Sequence, residues 1–329
     1  MKTLLQKLVE ESGPPGAEEK IRDIVKAEVK DYVDEIFEDA LGNLICVRKG
    51  EGKKIMLAAH MDEVALMVTH IDEQGFLRFT KVGGVLPHLL VGERVIFSSG
   101  VIGTINHEKI KELKELDFSK LYIDIGASSK KEAENKVAVG DTCVYYRQFT
   151  DLGRRILAKS LDDRAGCAVM ISALQKLKDD RINELYFVFT VQEEVGLRGA
   201  KTSAYRLDPD FGIAVDVTRT GDTPEAPTMA VSLGKGPAIK VKDSSVLAHP
   251  QVRDLMIEIA EKYKIPYQLE VLERGGTDAG AIHLTKEGIP SGALSIPCRY
   301  IHTPSEMIDY EDLQSAVNLL EKILTARWP

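Results

Sequence analysis

The chain of 329 residues has only four cysteines, Cys46, Cys143, Cys167 and Cys298, and no CxxC pair. That excludes a zinc ribbon and a disulfide framework, and makes a reducing cytosol the expected compartment. It lacks any apolar run near the roughly 18 residues a membrane helix needs. The densest stretch, Ala165 to Leu174, stops at polar residues, so no membrane span is expected. The N-terminal MKTLLQKLVEESG interrupts its apolar positions with Gln6, Lys7, Glu10 and Glu11, so it reads as an amphipathic helix and not as a secretory leader. Positive charge is not in excess either: 43 Lys+Arg against 51 Asp+Glu leave a net charge of -8. A surface built to neutralise nucleic-acid phosphates is therefore not expected. HExxH, an EF-hand loop, a GxSxG elbow and a phosphate loop are all missing, and GGTDAG (275–280) lacks the preceding strand and turn of a dinucleotide fingerprint.

What is present reads as a folded α/β chain. Leu4, Leu5, Leu8 and then Ile21, Ile24, Val25, Val29 recur at helical spacing on either side of GPPG, which predicts two helices around a turn. The run IMLAAHMD reads as a buried strand ending in polar residues. From about Val68 the pattern changes to short alternating runs such as GFLRFT, ERVIFSS and TCVYYR, separated by glycines and charged turns. From Asp162 onward helices and strands alternate again. The expected fold class is α/β, a mostly parallel central sheet sandwiched by helices, with an inserted small β-barrel-like domain. The expected division is a catalytic domain at 1–67 and 155–329, and an insert at 68–154.

Four strand-like runs end in potential metal ligands: IMLAA at His60, LYFVFTVQ at Glu193 and Glu194, FGIAV at Asp216, and SGALSIPCRYI at His302. In an open α/β sheet the site lies outside the carboxyl ends of the strands, so residues far apart in sequence converge there. Asp162 and Asp163 before AGCAVMI are a further candidate. His60 and Asp62, two apart in an extended segment, share a side, which suits an imidazole ligand oriented by a carboxylate. Each alone has a plainer reading, as helix cap, loop histidine or solvated glutamate. Together they form the mixed nitrogen and oxygen shell that zinc, cobalt or manganese takes.

AHMDEV (59–64), SLDDRAGCA (160–168), VQEEVGLRGA (191–200), AVDVT (214–218), GGTDAGA (275–281) and RYIHTPSE (299–306) resemble the successive motifs of the deblocking or glutamyl aminopeptidase family. These are dinuclear metallopeptidases of tetrahedral type, some of which carry endoglucanase labels. LGNLI (41–45) and LYIDIGASS (121–129) extend the resemblance over nearly the whole chain. It implies an aminopeptidase holding two divalent metal ions per subunit, zinc or cobalt ahead of manganese. Asp162 would bridge them, Glu194 and His302 would complete one site, and His60 and Asp216 the other. Glu193 would be the general base and Asp62 would orient His60. The resemblance further implies a cis Asp162-Asp163 bond, peptide substrates and a homo-oligomer, a dodecamer built from dimers.

Two other readings stay open at this level. A glycoside hydrolase working through paired carboxylates needs no metal and two groups about 5–9 Å apart. A binding or assembly protein with a closed structural metal site needs four ligands and no open position.

Overall fold

The computed structural model describes residues 1–178 and 181–329. Leu5 and Leu8 line the buried face of α1 (Lys2–Glu10), and Ile21, Val25 and Val29 that of α2 (Glu19–Val29), as their helical spacing requires. Then come β1 (Glu35–Glu38), β2 (Leu44–Arg48) and β3 (Lys54–His60). The chain next enters a closed barrel made of β4 (Ala65–Ile71), β5 (Leu77–Val82), β6 (Arg94–Phe97), β7 (Ile102–His107), β8 (Leu121–Asp124) and β9 (Thr142–Tyr145), with the short helix α3 (Lys130–Glu134) before its last strand. It returns through β10 (Thr150–Asp151), β11 (Arg155–Ala158), α4 (Leu161–Lys176), β12 (Glu184–Thr190), α5 (Arg198–Leu207) and β13 (Phe211–Thr218). The rest is β14 (Ala238–Lys242), α6 (Pro250–Tyr263), β15 (Gln268–Val271), α7 (Ala279–Ile282), β16 (Ser291–Arg299), β17 (Glu306–Asp309) and α8 (Tyr310–Leu324).

Among the described residues one 11-stranded sheet runs β1-β2-β12-β3-β13-β16-β17-β11-β10, with β14 joined to β16 and β15 to β14. Its centre, β12-β3-β13-β16, is parallel, while β2 on one side and β17 on the other pair antiparallel. The period of two along each strand sorts side chains onto two faces. On β3, Ile55, Leu57 and Ala59 join the core under α1, α2, α4 and α8, while Met56 and Ala58 join a second core under α5 and α7. Leu185, Phe187 and Phe189 of β12 divide from Tyr186 and Val188 in the same way. The sheet is thus buried on both faces, which is why its central strands read as continuous apolar runs. The barrel has a separate core around Val68, Phe79, Val95, Ile105 and Ile123.

The lysine- and glutamate-rich segment inside the barrel sequence forms two single 3-10 turns, Leu113–Glu115 and Phe118–Lys120. No helix among the described residues is long and apolar enough to cross a membrane.

Candidate metal centre

The parallel strands deliver the candidate residues to one end of the sheet. β3 stops at His60, β12 runs on into Glu193 and Glu194, β13 carries Asp216 near its end, and β16 leads to His302. Asp162 comes in at the start of α4, and its peptide bond to Asp163 is cis. Nε2 of His60 lies 3.0 Å from Asp162 Oδ1, 3.9 Å from Asp216 Oδ1 and 4.0 Å from Glu193 Oε2. His302 Nε2 lies 3.2 Å from both Asp162 Oδ2 and Glu194 Oε1. Asp162 therefore stands between the two imidazoles, one oxygen toward each. Two overlapping sets, His60-Glu193-Asp216 and His60-Asp162-Glu194, have ligand atoms close enough to share an ion.

Both rings face the cluster in the same manner. Nδ1 of His60 is 3.0 Å from the backbone carbonyl of Asp62, and Nδ1 of His302 is 3.3 Å from that of Gly84 in the barrel. A carbonyl only accepts, so each Nδ1 carries a proton, while each Nε2 faces the carboxylates and, in the metal-free chain, is protonated as well and donates to them. Without that Nε2 proton, this is the arrangement in which a histidine offers a lone pair to a cation.

The electrostatics point the same way. Burial pushes Glu193 and Asp216 well above the usual carboxylate range, and neighbouring carboxylates add to it, Asp216 at Glu193 and Asp162 at Asp216. Glu194 is raised too, by burial and then by Asp162. Burial also opposes charge on Asp162, but hydrogen bonds from His302 and His60 outweigh it and hold that carboxyl below its ordinary value. Burial would neutralise His302, yet Glu194 and Asp162 raise it to about 12. Glu194 Oε1 is buried and has the His302 ring, 3.2 Å away, as its near partner. Carboxylates crowded around two imidazoles are what divalent cations would satisfy. The donor set fits the metals that the motifs imply.

The family model described as M42 glutamyl aminopeptidase matches residues 42–319. The chain belongs to this family. A curated relative in Acetivibrio thermocellus, itself named an aminopeptidase only provisionally, is 55% identical over 318 residues, 96% of each chain. The solved aminopeptidase APDkam598 of the archaeon Desulfurococcus kamchatkensis superposes with a TM-score of 0.95 at 42% identity, covering 98% of this chain and 94% of that one. The Pyrococcus horikoshii TET1 peptidase, which can assemble into a tetrahedron or a large octahedral shell, gives 0.89 at 36% identity, covering 98% of each. This M42 member is a metallo-aminopeptidase, a hydrolase acting on peptide bonds.

Within the M42 site the carboxylate of Asp62 stays beside His60, as their spacing suggests, but does not take the Nδ1 hydrogen bond. It lies 3.7 Å from His60 Nδ1, which meets the Asp62 carbonyl instead. Its oxygens accept the backbone N–H groups of Glu193 at 2.9 Å and Glu194 at 3.0 Å.

Three contributors escape the strand-end argument. Asp163 accepts the N–H of His60 at 3.2 Å and of Gly166 at 2.9 Å. Gly84 has no side chain, and a Cβ there would stand 2.4 Å from His302 Nδ1. Glu306 accepts the N–H of His302 at 2.7 Å and of Asp162 at 3.0 Å. Glu306 ends RYIHTPSE and Asp163 lies in SLDDRAGCA, so the motifs held both, but no spacing rule assigns them partners. The site opens into a cavity of about 360 Å³, also lined by Arg219, Ser244, Leu272 and Arg274.

Proposed function

We propose that this chain is a dinuclear aminopeptidase that releases N-terminal residues from short peptides, with Glu193 as its general base. The observation that carries the reading is the shared posture of His60 and His302, each with Nδ1 on a carbonyl and Nε2 on carboxylates. Asp162 would bridge two divalent ions, zinc or cobalt first, with His60 and Asp216 on one side and Glu194 and His302 on the other. Bound there, such ions lower the pKa of a water and polarise a carbonyl. Glu193 is the carboxylate left without a ligand role in this assignment, and burial has already raised its proton affinity. Its side chain would take the proton of the attacking water and return it to the leaving amine. Asp62, fixing the backbone of both Glu193 and Glu194, sets where that carboxylate points.

A glycoside hydrolase would leave the two imidazoles without a task, and a closed structural site has no use for this many acidic groups. The same proposal keeps the division into a catalytic domain and an insert, with the expected bounds 68–154 shifted to the barrel strands at 65–145, because β4 begins at Ala65 and β10 belongs to the large sheet. It also includes a homo-oligomer, a dodecamer built from dimers. That is supported by the assembly of the TET1 relative and by exposed Leu269 and Val271 on the edge strand β15. A cytoplasmic location agrees with four buried cysteines, all free. Equilibrium zinc titration of the chelated protein tests the core of it: two equivalents per chain are expected, and one tightly held equivalent would favour a structural site.

A further inference from the structure

We infer that Glu306 is a positioning residue that holds Asp162 and His302 in register with each other, so that both can meet the same pair of cations. The inference rests on reading those two residues as metal ligands.

Glu306 opens β17 and stands opposite Ala158 at the end of β11, four residues before Asp162. Its carboxylate therefore lies between two segments that approach the site from different directions. One oxygen accepts the His302 N–H at 2.7 Å and the other the Asp162 N–H at 3.0 Å. The residue is 2% exposed, so both bonds are made away from water.

The loop it closes needs an anchor. Tyr300 has φ 62° and His302 φ 67°, a left-handed conformation that side chains other than glycine rarely adopt, and the loop from 300 to 305 belongs to no helix or strand. A carboxylate at 306 is also an expensive choice, since burial and the nearby charge of Asp162 both work against its ionisation. A loop closure alone needs one acceptor. Two acceptors on one side chain, each given to the backbone of a different candidate ligand, fit a clamp. Asp62 makes the same double contact with Glu193 and Glu194 on the opposite side of the cluster.

The test uses Glu306→Gln, whose amide offers one acceptor and turns a donor toward the second N–H, and Glu306→Asp, which keeps the charge but is one methylene short. Zinc bound per chain is measured at buffered free zinc, together with thermal melting of the metal-free protein and the separate kcat and KM for a peptide substrate. Both variants are expected to melt cooperatively without metal, to bind zinc roughly 10–100-fold more weakly, and to lose kcat with KM unchanged. Wild-type zinc affinity in both variants would overturn the inference. So would metal-free forms that are already unfolded, because Glu306 would then anchor the fold and not the site. The readout is bound zinc, so a wild-type protein that binds zinc but releases no N-terminal residue would defeat the proposed reaction and leave this inference standing.

Discussion

The backbone N–H of Glu193 donates to Asp62 Oδ1 at 2.9 Å, although 131 residues separate them in sequence. The partner oxygen takes the N–H of Glu194 at 3.0 Å, so one carboxylate fixes the turn that carries both glutamates. Asp62→Asn keeps the shape but sets an amide donor against one of those N–H groups. We expect a fall of roughly 10–100-fold in kcat with KM little changed, read from steady-state kinetics. Wild-type turnover in this variant would show that the contact does not matter to the reaction.

Glu193→Gln and Asp162→Ala separate base from ligand. The glutamine variant should keep both metals and lose about a hundredfold to ten-thousandfold in kcat, the usual worth of a general base. The alanine variant should lose metal as well, because Asp162 faces both imidazoles. Metal content by elemental analysis beside kcat distinguishes the two, and full activity in the glutamine variant would remove Glu193 from the role.

The barrel also reaches the site, through Gly84. A methyl group there would lie 2.4 Å from His302 Nδ1 and 2.6 Å from Cε1, so the ring has to move. Gly84→Ala should reduce activity and metal affinity while the barrel core around Phe79 and Ile123 stays folded. An unchanged metal affinity would mean that the His302 ring accommodates the methyl at no cost.

Glu18 is not itself a proposed ligand, but it borders the site through Gln192 and Asp62 and predicts a pH dependence of stability. Burial first, and then the charge of Asp62, raise its carboxyl to about 7 from an ordinary 4.5. Between those two values the native chain holds a proton that the unfolded chain has released, so stability falls as pH rises through the window and is level on either side. The loss is at most about 3 kcal/mol. Glu18→Gln keeps an acceptor oxygen for the Gly16 and Gln192 N–H groups and removes the titration. Denaturant melts of the metal-free protein at pH 5 and pH 8 should show a smaller pH difference in the variant than in the wild type.

The parts of this molecule that the sequence revealed are those set by periodicity and by strand ends. Continuous apolar runs gave the central strands and alternating ones the barrel, helical spacing gave α1 and α2, and the end of each parallel strand pointed to His60, Glu193, Glu194, Asp216 and His302. The parts that stayed hidden are contacts between buried polar groups distant in sequence. Arg164, fully buried, reaches the carbonyls of Met61, Leu8 and Glu11, and Lys159 donates to both oxygens of Glu63 at 2.8 Å. Lys240 of β14 and Glu270 of the neighbouring β15 form another fully buried pair. A charged residue in a sequence reads as surface, and only the fold shows which ones are buried with a partner. For Asp62 the spacing showed the neighbourhood of His60 but not the two backbone N–H groups, 131 and 132 residues away, that its carboxylate also accepts.

The most direct test of the whole account is hydrolysis of a panel of aminoacyl-p-nitroanilides, with N-acetylated counterparts as controls, by the purified protein before chelation, after chelation, and after reloading with zinc, cobalt or manganese. The account predicts release from free but not blocked amino groups, lost on chelation and restored by metal; activity that survives chelation, or that treats blocked and free termini alike, would contradict it.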